Sequence, residues 1–170
     1  MKENEPINKN VAQHLPINRE RNEETAITSL KGSIILEKEY GTLKFQRPLS
    51  HPIEKVWNAI SNPADVSEWM SNYKGVINGY DGGTIDFINT ASGSQVSGNI
   101  IVWKPYHFFE YEWHIAPNAI LPEGEPESII RWELKQDDNS NKNTLLFLTH
   151  SRLTKPTSLN FAPGWHAYLD

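Results

Sequence analysis

The chain has 170 residues, enough for one ordinary domain and short for two. A net charge of -5 with no run of Lys and Arg argues against a nucleic-acid binder, and no stretch approaches the roughly 18 apolar residues needed to cross a bilayer. The absence of cysteine excludes disulfides, thiolate zinc sites and a Cys nucleophile, and an N-terminus with no apolar segment behind Lys2 predicts a cytoplasmic protein without membrane contact.

Residues 1–30 are rich in Asn, Glu, Lys and Arg, with Val11, Leu15 and Ile17 isolated at no sustained period. Such a segment buries too little surface to offset its ordering entropy, so a disordered polar tail is expected ahead of one domain spanning 31–170. Ser33 to Leu36 is apolar and β-branched and reads as an extra edge strand. A first full strand alternates through Thr42, Leu43, Lys44, Phe45 and Gln46, and Pro48 closes it. After His51-Pro52, the spacing of Ile53, Val56, Trp57 and Ile60 predicts a helix with Pro52 in its first turn. Asn62-Pro63 ends that helix and starts a shorter one to Met70, with Val66, Trp69 and Met70 facing inward.

Strands and turns then alternate: Tyr73 to Asn78, the Tyr80-Asp81-Gly82-Gly83 turn, Thr84 to Asn89, and a loop at Ala91 to Ser94. Ser97 to Trp103 and His107 to Ile115 flank a hairpin connection at Lys104-Pro105-Tyr106. Ser128 to Lys135 and Thr144 to Ser151 flank a polar linker and form another hairpin, and Pro163-Gly164 reads as a breaker before an aromatic helix from Trp165 to Asp170. The expected class is α+β: a curved antiparallel sheet of about six or seven strands, with two short helices and a C-terminal helix.

The most informative segment is His107 to Ile115, whose odd positions carry Phe109, Tyr111, Trp113 and Ile115 and whose even positions carry Glu110, Glu112 and His114. One face is aromatic and the other wet. Packing against the final helix explains the rings as well as a pocket does, but Tyr111 and Trp113 have polar tips that need partners when buried. Trp57 and Trp69 lie on inward helix faces, Trp103 and Trp132 on strands, and Trp165 and His166 near the expected pocket mouth. No nucleophile elbow, zinc-binding H-E-x-x-H, P-loop or dinucleotide-binding glycine pattern occurs, so no catalytic set, metal site or cofactor is predicted.

The run Arg47-Pro48-Leu49-Ser50-His51-Pro52-Ile53-Glu54-Lys55-Val56-Trp57, then Asn62-Pro63 and Glu68-Trp69, resembles the opening of the domain related to the heat-shock-protein ATPase activator, within the START-like, polyketide-cyclase-like superfamily. Gly82-Gly83, Gly98-Asn99-Ile100, Pro105, Trp113, Thr149-His150 and Gly164-Trp165-His166-Ala167 follow in the matching order, so the resemblance covers about Gly32 to Asp170. It implies a helix-grip fold with a hydrophobic cavity between sheet and last helix. It also implies that the helix is truncated here to about two turns, because the family's last helix continues past this segment.

The expected function is binding of a small hydrophobic or aromatic ligand through Trp69, Phe109, Tyr111, Trp113, Trp132, His150, Trp165 and His166. One alternative is a cyclase, dehydrase or hydrolase using Tyr111, His150 or His166 as acid-base groups. Another, suggested by the family name, is a module that stimulates a chaperone ATPase, which would make a chaperone the partner.

Overall fold

The computed structural model describes residues 25–29, 32–70, 72–119, 121–137 and 140–170. In chain order the elements are β1 (Thr25–Ser29), β2 (Gly32–Leu36), β3 (Tyr40–Leu49), α1 (Ile53–Ser61), α2 (Pro63–Trp69), β4 (Tyr73–Ile77), β5 (Thr84–Asn89), β6 (Gln95–Lys104), β7 (Phe108–Ile115), β8 (Glu125–Asp137), β9 (Ser140–Thr154) and α3 (Lys155–Leu169). The nine strands form one curved, unclosed antiparallel sheet in the order β1-β2-β3-β9-β8-β7-β6-β5-β4. This is the α+β helix-grip class that the sequence predicts.

Two details differ from expectation. The described residues hold nine strands rather than about six or seven: β2 is the extra edge strand expected at Ser33 to Leu36, and β1, which pairs with it, is unexpected, its five residues being too short a pattern to stand out from the polar stretch before them. The rest of the expected 1–30 tail, residues 1–24 and 30, lies outside the described residues. The second difference is the last helix, which starts at Lys155 and runs 15 residues, about four turns, straight through Pro163 and Gly164. Pro163 removes the N–H that would bond the Leu159 carbonyl, but Leu159, Pro163 and Gly164 are all exposed, on a side where water satisfies an unpaired carbonyl.

The helices pack on one face of the sheet: α1 against β8 and β9, α2 against β4, and α3 against β2, β3 and β9. A side chain at Gly41 would overlap the Ser158 hydroxyl, so glycine there lets α3 close on β3. Asn62 caps α2, its side chain accepting the Ala64 N–H at 3.0 Å, with Pro63 as the first helical residue. At the start of α3 the carboxylate of Glu125, only 3% exposed, accepts the Thr154 N–H at 2.8 Å and the Thr157 hydroxyl at 2.6 Å. A buried negative charge at a helix N-terminus is placed where the helix dipole favours it.

Candidate functional site

Alternation on β7 turns Phe109, Tyr111 and Trp113 toward the helices, and the next strand, β8, adds Trp132 at the centre of the sheet. Phe109 stacks on Tyr111 (5.6 Å between centroids) and meets Trp57 of α1 edge-on at 5.3 Å. Tyr111 accepts the Trp132 indole N–H at 3.2 Å, and burial pushes its phenol well above the usual tyrosine range, so it stays neutral.

Behind these rings lies a directed hydrogen-bond relay. An indole N–H only donates, so Trp165 Nε1 at 3.1 Å makes His150 Nδ1 the acceptor. His150 Nε2 then carries the proton and donates to Ser128 Oγ at 2.8 Å, and Ser128 donates onward to the Trp113 carbonyl at 2.9 Å. Both imidazole nitrogens are therefore engaged. Burial lowers the His150 pKa to about 3, which leaves the ring neutral at any ordinary pH.

The expected cavity lies between the sheet and the last helix; beside the β7 rings that space is largely filled. The void among Trp69, Tyr111, Trp113 and Trp132 measures about 10 Å³, room for at most one water. Two larger spaces lie on either side of Tyr168. One, about 130 Å³, is bounded by Met70, Tyr73, Trp113, His150, Phe161 and Trp165. The other, about 280 Å³, is a slot open to solvent between α1 and the last turn of α3, walled by Val56, Ala59, Ile60, Tyr168 and Leu169 and floored by Trp69, Trp132 and Leu146. A groove of about 840 Å³ along the β8–β9 turn is bordered by Lys135, Gln136, Asp137 and Asn143, groups that prefer water to an apolar ligand.

Of the residues expected to contact ligand, Trp69 and Trp132 meet in the slot, and Trp113, His150 and Trp165 meet in the smaller chamber. Tyr111 borders only the 10 Å³ void among these spaces. Phe109 and His166 border none of them. His166 instead packs edge-on against Phe45 at 4.8 Å and accepts from Arg47 Nη2 at 3.2 Å. The Arg47 guanidinium also pairs with Asp170 at 2.9 Å, which fastens the end of α3 to β3. Leu49, Ala59, Leu146, Tyr168 and Leu169 border the slot without having been picked out in the sequence. They come from four separate elements, and no local pattern connects them.

With the fold and site described, residues 50–170 match the family of activator of Hsp90 ATPase homolog 1-like proteins. The chain belongs to that family. Solved structures with a similar fold include protein MLL2253 from Mesorhizobium loti, at 20% identity over 75% of this chain and 90% of that one, with a TM-score of 0.64. CalU16 from Micromonospora echinospora is 19% identical over 87% of this chain and 81% of its own, with a TM-score of 0.59. PFC0360w, an HSP90 activator from Plasmodium falciparum, is 19% identical over 64% and 71%, with a TM-score of 0.50. Likeness at these identities establishes a shared fold. No curated protein matches the chain. Among the described residues, no helix is long and apolar enough to cross a membrane.

Proposed function

We propose that this protein binds a small hydrophobic or aromatic molecule in the slot between α1, the end of α2 and the last turn of α3. The observation that carries the reading is the slot itself: about 280 Å³ of open space whose floor and walls are Trp69, Trp132, Leu146, Val56, Ile60 and Leu169. An apolar cavity of about 150 Å³ takes up benzene, so this one suits one or two rings or a short acyl chain rather than a large polycyclic molecule. A ligand of roughly ten non-hydrogen atoms, gaining about 0.5 kcal/mol per atom, binds with a Kd of about 0.2 mM.

Catalysis through His150 is disfavoured, because the ring is committed at both nitrogens and would have to give up two hydrogen bonds before moving a proton. The test is a titration with one- and two-ring aromatics and short-chain acids, following the fluorescence of Trp69 and Trp132 and repeated in Ala59→Leu, which fills the slot from α1. Saturable binding to the native chain and at least tenfold weaker binding to Ala59→Leu are expected. Absence of any saturable signal, or equal affinity for the filled variant, would rule the slot out as the site.

A further inference from the structure

The mouth of the slot has a sign. Its lining contains the Lys55 ammonium, with His51 beside it, and no Asp or Glu, in a protein whose net charge is -5. Both are exposed, and Lys55 has no ion-pair partner among the described residues. The Thr144 hydroxyl donates to the His51 carbonyl at 2.8 Å, which holds this segment against β9. Between these two residues Pro52 precedes the first turn of α1, where Glu54 offsets the positive end of the helix dipole, so the dipole adds little to the charge at this mouth. The Lys55 ammonium therefore favours negative charge at the rim of an otherwise greasy space, and no carboxylate lines the slot to oppose it.

From this we infer that the ligand is an anionic amphiphile, with its apolar body in the slot and a carboxylate at the mouth beside Lys55. The inference rests on the slot being the binding site, and it adds the chemistry of the head group. An anion held at the rim stays hydrated, so it gains attraction to Lys55 without the desolvation cost of a buried ion pair. The gain is that of a solvent-exposed pair, a few-fold in affinity that falls with added salt.

A matched pair of probes separates the head group from the body: 4-phenylbutyrate and 4-phenylbutan-1-ol, each titrated calorimetrically. In the native chain at low salt the acid is expected to bind about three- to fivefold more tightly than the alcohol, with that ratio falling toward one at about 0.5 M salt. Lys55→Met keeps an apolar stem of similar length and removes the charge, so the acid-to-alcohol ratio is expected to drop to one or below. Lys55→Glu is expected to weaken the acid a further several-fold by repulsion. Alcohol binding without acid preference in the native chain, or a preference that survives in Lys55→Met, overturns the head-group assignment and leaves the slot standing. Failure of both probes to bind the native chain overturns the slot reading itself.

Discussion

At its N-terminal end α3 is fastened by the buried carboxylate of Glu125, which takes hydrogen bonds from both Thr154 and Thr157. At its C-terminal end Tyr168 and Leu169 lie along an open apolar slot, and the clasp is the Arg47–Asp170 pair, in which the Asp170 side chain is 44% exposed. One helix thus has a fixed root and a less firmly held tip. A binding site that must admit a ligand belongs beside the tip, where moving a side chain breaks no buried polar contact.

The tip rests on the floor of the slot, and removing that floor gives the largest effect. Trp132 is 2% exposed, meets Trp165 edge-on at 5.8 Å and Trp69 at 6.0 Å, and donates to Tyr111. Trp132→Ala is expected to cost about 3–5 kcal/mol in urea unfolding and to eliminate the slot's ligand signal. Glu125→Ala acts on the root alone. It strips the Thr154 N–H and the Thr157 hydroxyl of a buried charged acceptor, for an expected loss of about 3 kcal/mol by the same measurement. A loss below about 1 kcal/mol would mean that the root is no firmer than the tip.

His150 sharpens the contrast through pH. Its pKa is lowered to about 3 in the folded chain and returns to about 6.5 on unfolding, so between those values the unfolded chain takes up a proton that the folded chain does not. This contribution is fully present above about pH 6.5 and is lost as pH falls toward 3, at up to about 1.4 kcal/mol per unit. Plotted against pH, the unfolding free energy of His150→Phe should therefore fall less steeply over that window than that of the native chain. Parallel curves would mean that the ring is not buried neutral.

The parts visible in the sequence are those with a short period. The odd-even split of β7 identifies its buried face residue by residue, and the prolines before Ile53 and at position 63 mark the helix starts. The helical run from 155 to 164 is harder to see because its buried stripe is Thr157, Ser158 and Ala162, small or polar residues that leave a faint apolar rhythm, while Pro163-Gly164 carries a strong breaker signal. The slot is less visible still. Leu49, Ala59, Leu146 and Tyr168 become neighbours only after β3, α1, β9 and α3 have packed, and nothing within ten residues of any of them records the encounter.

The smallest expected effect tests the tip directly. Asp170→Asn removes the charge that pairs with Arg47, but the Arg47 guanidinium keeps the Gln46 carbonyl at 3.0 Å and the ring nitrogen of His166 at 3.2 Å. Because the lost partner is half in water, the stability change should stay below about 1 kcal/mol. Its effect should instead be local: amide exchange in the last turn of α3 speeds up, while the amides of Thr157 and Ser158, near the Glu125 anchor, keep their protection. If exchange rose equally along the whole helix, α3 would open as one unit. The distinction between a fixed root and a movable tip would then be lost, and with it the reason for placing ligand entry beside Tyr168.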